Sequence, residues 1–332
     1  MSLLVPIGLL AAAACLAFVV RKRLDLAAVL SLIAVLLAFA IVGGLPAGQR
    51  DGLLGLTFEL TALARLAGML LLATLALLLL YVWLAEPAYN FFPTALGVGA
   101  ACLATLLVRE PLAVYIALLV ALLVPVGTFT FHIHANRSVE AAIRHFGFVT
   151  LGGSLGLAAL ALAAGLPREH PEETFILLVV IVFAAFALKL AAIPFHTHAA
   201  LLAGEAPTPA LALYFGVLVP VTFIAFSRIL FLSGLLPAIV EIGKVQQLAL
   251  GVGIASAVGG AFLASGAPDL RRLVVYSVIS NLGFALVGIG TLSGPGITGA
   301  IATILVTAAA ATQQLLAAGT LERRAAPARP SA

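Results

Sequence analysis

The sequence predicts an all-α, polytopic membrane protein with about eleven transmembrane helices. Three observations lead to this fold class: 63% of the 332 residues are hydrophobic, only 9% are charged, and the mean hydropathy is +1.23. A soluble domain averages about 45–50% apolar and about 25% charged residues, so a water-soluble globule is excluded. Eleven spans of about 20 residues would use about 220 residues, which leaves room only for short loops.

The first predicted span covers residues 3–20 and is followed directly by Arg21, Lys22 and Arg23. A cleaved secretory signal has the opposite order, with its positive residues before the apolar run and a small-residue cleavage site after it. We therefore expect a retained helix whose C-terminal end faces the cytoplasm.

Ten further apolar runs follow, separated by short segments rich in glycine, proline and asparagine, which are turn formers. They cover residues 24–43, 61–85, 91–108, 111–131, 138–164, 173–202, 207–232, 238–265, 270–291 and 296–319. Pro207 and Pro209 are assigned as helix-breaking residues that separate their span from the preceding one, and they lie in its first turn, where proline is tolerated. We expect residues 1–322 to form one transmembrane domain and residues 323–332 to be a disordered cytoplasmic tail.

The lysines and arginines outside the membrane are distributed unequally between its two sides. Ten lie on the side reached after odd-numbered spans, the C-terminal tail included, and six lie on the opposite side. Because Lys and Arg accumulate in cytoplasmic loops, we expect the N-terminus outside and the C-terminus in the cytoplasm. The expected location is a bacterial-type inner (plasma) membrane.

Lys189 lies deep inside an apolar run, after the uncharged residues 175–188. An ionisable residue near the centre of a span costs about 2.5–3.5 kcal/mol by insertion scales, so it indicates a functional site. Pro194 cannot donate a hydrogen bond to the carbonyl of Leu190 and displaces it, so the helix is predicted to break there. We expect the freed carbonyls to hold the ammonium or water. The alternative is a structural lysine that extends to the interface.

Two histidines and an acid follow the predicted break. His196 and His198 can exchange protons near neutral pH, and Glu205 is a candidate partner, so we assign these three residues to proton transfer. The histidines do not predict a metal site, because side chains two residues apart on a helix diverge.

An accessory polar group is predicted at the end of the fifth span and the start of the sixth. It consists of His132, His134, Glu140 and His145. The alternative interpretation, which the position of these residues near the span ends favours, is that the histidines are solvated at the membrane interface.

The chain offers no ligand set for a metal or a redox cofactor. Its two cysteines, Cys15 and Cys102, lie inside apolar runs, and an iron–sulfur cluster would need four. Nucleotide-binding loops and Cys/His zinc spacings are also absent from the sequence. We therefore expect no cofactor in this chain.

Three segments carry a family resemblance. Residues 189–196 have the sequence Lys-Leu-Ala-Ala-Ile-Pro-Phe-His, and Glu-Ala-Pro-Thr-Pro follows at 205–209. Residues 269–283 are Asp-Leu-Arg-Arg-Leu-Val-Val-Tyr-Ser-Val-Ile-Ser-Asn-Leu-Gly, and residues 137–146 are Arg-Ser-Val-Glu-Ala-Ala-Ile-Arg-His-Phe. In this order they resemble motifs of the antiporter-like membrane subunits of respiratory complex I, membrane-bound hydrogenases and multisubunit sodium/proton antiporters.

The resemblance implies a truncated antiporter-like fold in which the broken seventh helix contributes to a chain of buried polar residues and water. Lys189 would be the proton-accepting lysine, Pro194 would break the helix, and His196 would be the downstream partner. The implied function is proton or sodium translocation within a complex I-like or antiporter-like assembly. Its partners would be other membrane subunits and the lipid bilayer, with no nucleic acid. Any NADH:quinone oxidoreductase-like or hydrogenase-like reaction would take place in those subunits.

The sequence departs from the family pattern in three respects. The family has a glutamate on the fifth helix before a proline, whereas residues 120–125 contain no acid. The family's basic residue on the eighth helix would fall near Phe215 or Val219, which are apolar. Chains of the family have about three more helices, which carry an exit lysine or glutamate, whereas the predicted spans of this sequence end with the eleventh. These departures favour an alternative function, a degenerate, non-conducting structural or assembly subunit.

Overall fold

The computed structural model of the chain describes residues 2–130, 136–165, 172–232 and 243–325. Within these ranges we number thirteen α-helices and one antiparallel hairpin, which pairs β1 (Arg50–Leu53) with β2 (Leu56–Glu59). The helices are α1 (Leu4–Val20), α2 (Leu24–Gly44), α3 (Ala62–Leu84), α4 (Phe91–Leu107), α5 (Pro111–Leu123), α6 (Asn136–Gly165), α7 (Glu172–Lys189), α8 (Thr197–Glu205), α9 (Thr208–Leu213), α10 (Val219–Leu232), α11 (Gly243–Ser265), α12 (Leu270–Gly290) and α13 (Gly294–Ala325). A 3₁₀ segment (Val124–Thr130) follows α5, and a π-helical segment (Tyr214–Leu218) joins α9 to α10.

Many of these helices are long and apolar enough to be membrane spans. In the described ranges, seven helical segments of at least 18 residues are apolar enough to cross a membrane, and four shorter apolar helices accompany them. The prediction of an all-α polytopic protein with about eleven spans is confirmed. Most predicted limits lie within a few residues of the observed ones, which is the usual uncertainty of a helix end.

The central span, made of α9, the π-helical segment and α10, is the most deeply buried of the long spans. Its most apolar 18-residue window is completely buried, whereas the other long spans bury 28% to 56% of theirs. Gly216 lies in the π-helical segment, where a Cβ atom would come within 2.0 Å of Thr312 Oγ1 on α13. This packing leaves no room for a side chain, so glycine is required there.

The hairpin lies where the sequence predicts only a glycine-rich loop. Leu54 and Gly55 form its turn with positive φ angles of 52° and 80°, and strands of four residues are too short to show a clear alternating pattern. Glu59 on β2 lies 3.0 Å from the Arg50 guanidinium and 3.6 Å from that of Arg109. The hairpin is thereby attached to the segment between α4 and α5.

Asp51 connects the hairpin to the start of α1. Its carboxylate accepts hydrogen bonds from the Leu3 amide and from the Ser2 hydroxyl, the latter at 2.9 Å. These two bonds lower the pKa of Asp51, because both stabilise the charged carboxylate. The first helix is thus fixed at the end of the bundle that carries the hairpin.

Arg228 on α10 closes the C-terminal end of α4. Its guanidinium donates hydrogen bonds to the carbonyls of Thr105 at 2.7 Å, Leu106 at 2.8 Å and Val108 at 2.5 Å. The last carbonyls of a helix have no partner within the helix and carry partial negative charge. The arginine therefore satisfies these groups and joins the central span to α4.

Helix α13 continues beyond the predicted end of the last span, as far as Ala325. Arg323 forms an ion pair with Glu86 at 2.5 Å and donates to the Tyr81 hydroxyl on α3. Basic residues are favourable in the last turn of a helix because they oppose its dipole. Residues 323–325, which we expected to begin the tail, are therefore helical, and residues 326–332 lie outside the described part of the chain.

Candidate functional site

The seventh predicted span is broken, as expected. Helix α7 ends at Lys189 and α8 begins at Thr197, and the irregular segment between them contains the cis peptide bond that precedes Pro194. A proline inside a continuous helix would remove one hydrogen bond and clash with the preceding turn. The break therefore places Lys189 at a helix end in the interior of the bundle.

Two side chains replace the helical hydrogen bond that the break removes after Lys189. The carbonyl of Lys189 accepts a hydrogen bond from the Tyr214 hydroxyl at 2.8 Å, and the amide of Ile193 donates to Ser256 Oγ at 3.0 Å. In an uninterrupted helix these two backbone groups would bond to each other. The π-helical segment and α11 therefore support the break from two sides.

The Lys189 side chain is fully buried and surrounded by neutral groups. Its Nζ donates hydrogen bonds to the Tyr115 hydroxyl and to the carbonyl of Ala185, the latter at 3.3 Å. It also lies 4.4 Å from the ring centroid of Tyr115 and 5.3 Å from that of Phe186, and aromatic faces attract cations at such distances. No carboxylate in the described ranges lies within ion-pair distance of this amine.

The expected binding of the ammonium by carbonyls near Leu190 is wrong. The side chain of Lys189 instead extends along α7 to Ala185, one turn earlier, and to α5. Helical side chains project toward the N-terminus of their helix, which explains this direction. The carbonyl nearest the break is occupied by Tyr214.

His198 and His145 form a buried pair beside Tyr214. His198 Nε2 lies 3.4 Å from the Tyr214 hydroxyl, and its Nδ1 lies 3.0 Å from the Phe195 carbonyl. The His145 ring lies 5.6 Å from the His198 ring and 4.9 Å, edge to face, from the Tyr214 ring. Phe148 stacks on His198 at 4.8 Å. Tyr214 therefore connects the backbone of Lys189 to two histidines.

The interpretation of His145 as a solvated residue at the interface is therefore wrong. Its side chain has no exposed surface, because the face of α6 that carries it packs against α8 and the π-helical segment. Glu140, which precedes it by five residues, is exposed and pairs with Arg144 at 2.7 Å. His132 and His134 lie outside the described residues.

The remaining predicted site residues lie outside the Lys189 contacts. His196 and Glu205 are half-buried at the two ends of α8, and neither is hydrogen-bonded to Lys189. Pro207 and Pro209 occupy the N-cap and first turn of α9, as expected. Of the predicted proton-transfer residues, the structure thus brings together Lys189 and His198, through Tyr214.

Tyr115 and Tyr214 complete the site and were not predicted from the sequence. Tyr115 lies on α5, where its hydroxyl donates to the Gly152 carbonyl on α6 at 2.5 Å. Both tyrosines are buried, and a buried tyrosine hydroxyl needs a hydrogen-bond partner. Two polar hydroxyls inside apolar runs are the signal that could have indicated these positions.

The segments 205–209 and 269–283 meet in space through Arg271. Its guanidinium donates to the Ala206 carbonyl at 2.8 Å and to the Thr208 hydroxyl, and its Nε lies 2.9 Å from a Glu322 carboxylate oxygen. Asp269 caps the start of α12 by accepting from the Arg272 amide at 2.8 Å. The start of the central span is therefore held by α12 and α13.

These features define a class of protein: a polytopic membrane subunit in which a broken helix carries a buried lysine. The family model described as "NADH:quinone oxidoreductase/Mrp antiporter, TM" matches residues 141–329. This match includes more than half of the chain, and the chain belongs to that family.

Two curated relatives are NADH-quinone oxidoreductase subunits N. The protein of Parvibaculum lavamentivorans is 30% identical over 189 residues, which are 53% of this chain and 38% of the relative. The protein of Methylobacterium nodulans is 31% identical over 185 residues, which are 52% of this chain and 38% of the relative. The chain therefore matches less than half the length of these relatives.

Solved structures of membrane complexes share the fold. A chain of the Mrp complex from Dietzia sp. DQ12-45-1b superposes with a TM-score of 0.85 at 18% identity, over 98% of this chain and 38% of that one. A chain of respiratory complex I from Thermus thermophilus with bound NADH superposes with a TM-score of 0.80 at 23% identity, over 95% of this chain and 71% of that one. The expected antiporter-like fold is confirmed.

Proposed function

We propose that this chain is a membrane subunit of a complex I-like or antiporter-like assembly and takes part in proton or sodium translocation, with Lys189 as the group that carries the proton. One observation supports this proposal above the others. The amine of Lys189 is fully buried at the end of a broken helix, and only neutral groups in the described chain hold it.

The surroundings of Lys189 have opposing effects on its charged and neutral forms. Burial in a low-dielectric interior opposes the ammonium, whereas the hydroxyl, the carbonyl and the two aromatic rings stabilise it. A carboxylate beside the amine would instead hold it charged. Lysine can then gain and lose a proton during a transport cycle, which the permanently charged arginine cannot do.

A cluster of Tyr214, His198 and His145 adds further polar groups beside Lys189. Hydroxyl and imidazole groups can each donate and accept hydrogen bonds, and Tyr214, His198 and His145 form such a group next to the Lys189 backbone. We assign to this cluster the exchange of protons between Lys189 and the side of the membrane that α8 approaches, through water that enters at the break.

Partner membrane subunits are part of the proposal. A groove of about 400 Å³ between α12 and α13 contains Asn281 and Gln314 among apolar side chains. Neither amide has a hydrogen-bond partner within the described ranges, and unpaired polar groups are costly in lipid. A partner helix with a polar side chain would satisfy them. The N-terminus would lie outside and the C-terminus in the cytoplasm, and any redox cofactor would reside in the partners.

The test is proton uptake by liposomes that contain the purified, assembled complex, driven by a valinomycin-induced potassium diffusion potential. We expect Lys189→Ala to abolish uptake per assembled complex, because the other two lysines lie at helix ends, Lys22 after α1 and Lys244 at the start of α11. Lys22→Ala is the matched control, since Lys22 is exposed after α1, and it should leave uptake unchanged.

Full uptake by the Lys189→Ala complex would contradict the proposal. Loss of assembly, with unchanged uptake by the complexes that do form, would indicate the alternative function of a structural subunit. Assays of the same liposomes with and without sodium, at one external pH, distinguish the two ions, because proton translocation does not require sodium.

A further inference from the structure

We propose that the Tyr115 hydroxyl is a residue of the proton-transfer site and holds the Lys189 amine in both of its protonation states. This inference rests on the proposed function of Lys189. It adds to that function a partner on α5 that is neutral, where the family resemblance leads one to expect a glutamate.

Two glycines of α6, Gly152 and Gly156, leave the space that the Tyr115 hydroxyl occupies. The hydroxyl donates to the Gly152 carbonyl at 2.5 Å, and a Cβ atom on Gly156 would lie only 2.0 Å from the hydroxyl oxygen. A Cβ atom on Gly152 would lie 3.4 Å from Lys189 Nζ and 2.8 Å from the Ala185 carbonyl. Glycine is less favourable than alanine inside a helix, and here the missing side chains provide the space that both polar groups occupy.

The orientation of the Tyr115 ring is also constrained. The ring packs edge to face on Phe186 at a centroid distance of 5.5 Å, and Tyr115 has no exposed surface. The hydroxyl therefore cannot turn toward solvent when the charge of Lys189 changes. Only the hydroxyl hydrogen can rotate.

Because its hydrogen can rotate, the Tyr115 hydroxyl can form a hydrogen bond with both the ammonium and the neutral amine of Lys189. A hydroxyl is both donor and acceptor, whereas an ammonium only donates and a neutral amine offers a lone pair. Beside the ammonium, the Tyr115 oxygen accepts from Nζ while its hydrogen bonds to the Gly152 carbonyl. Beside the neutral amine, the hydrogen can turn to the nitrogen lone pair. A carboxylate would serve only the first state.

The titratable groups near this pair are few. His145 on α6, His198 on α8 and Tyr214 on the π-helical segment lie on the side of the Lys189 carbonyl. The α10 residue that packs against Phe186 is Phe226, which carries no charge. Among the described side chains in contact with the amine, Tyr115 is therefore the one polar group whose removal changes the balance between the two states.

The experiment measures proton uptake as a function of pH in liposomes that contain the assembled complex. Tyr115→Phe removes the hydroxyl and keeps the ring. A hydrogen bond to a charged group is about twice as strong as one between neutral groups. Because the ammonium loses more than the neutral amine, the pH at which uptake falls to half should move about one unit lower.

Gly156→Ala displaces the hydroxyl by a second route, because the new Cβ would overlap it. It should produce a shift in the same direction, and it carries the test if Tyr115→Phe does not assemble. Gly147→Ala on the same helix is its control, since nothing lies within 4 Å of a Cβ there. Tyr89→Phe, at a residue that is 58% exposed, is the control for the tyrosine. Neither control should move the profile.

A wild-type profile in both variants, with Lys189→Ala inactive, would overturn the inference and leave the proposed function intact. Uniform loss of uptake at every pH without a shift would also overturn it, because a merely structural role would have that effect. Uptake by Lys189→Ala itself would refute the proposed function, and the inference with it.

Discussion

Arg271 should contribute far more to stability than its neighbour Arg272, although both lie in the first turn of α12. Arg271 donates two hydrogen bonds, to the Ala206 carbonyl and the Thr208 hydroxyl, and its side chain is only 15% exposed. At about 1.5 kcal/mol for each bond from a charged group, Arg271→Ala should lower the free energy of unfolding by about 3 kcal/mol. The half-exposed Glu322 partner adds less than about 1 kcal/mol.

Arg272→Ala is the matched control for this prediction. Arg272 pairs with Asp269 at 3.1 Å across three residues of one helix, and both side chains are about one-third exposed, so the loss should be about 0.3–0.5 kcal/mol. The measurement is the thermal unfolding midpoint of the purified complex in detergent for the two variants. Equal midpoints would refute the argument that Arg271 joins the start of the central span to α12.

Three further outcomes are expected. Lys189→Arg should lose proton uptake nearly as completely as Lys189→Ala in assembled complexes, because arginine stays charged; uptake above half of wild type would contradict this. Gly216→Ala should destabilise the complex in thermal unfolding, since its Cβ would lie 2.0 Å from Thr312 Oγ1, and Thr312→Ala should restore part of the loss; a stable Gly216→Ala protein would count against the packing argument. A cysteine at position 331, in a Cys15→Ala background, should react with an impermeant maleimide only in inside-out vesicles; efficient reaction in intact cells would reverse the orientation.

The number and limits of the spans could be predicted because hydropathy over about 20 residues is a strong local signal. The break after Lys189 could be predicted for a similar reason, since the effect of Pro194 on the preceding turn needs no tertiary information. The hairpin could not, because its four-residue strands are held by pairing and by the ion pairs of Glu59. One of those ion pairs joins Glu59 to Arg109, which is 50 residues away in the sequence.

The partners of Lys189 were harder to predict than its position beside a helix break. The direction of a side chain in a helix depends on which face packs inward, and the start of α6, where His145 lies, also carries Glu140 and Arg144, which are typical of a helix end at the interface. His145 was therefore assigned to the interface although it lies against His198. The Arg271 contact with Ala206 joins two motifs 65 residues apart, and neither motif alone indicates that they meet.

The missing acid on α5 has a different meaning once the geometry of Lys189 is considered. From the sequence, its absence favours a degenerate subunit, because a carboxylate is expected to regulate the charge of the lysine. The structure has a hydroxyl beside the amine instead, together with two rings and a carbonyl. An ion pair stabilises the ammonium strongly, whereas dipoles and aromatic rings stabilise it weakly. With these weaker partners, the neutral amine stays accessible. Loss of the acid therefore does not by itself argue against conduction.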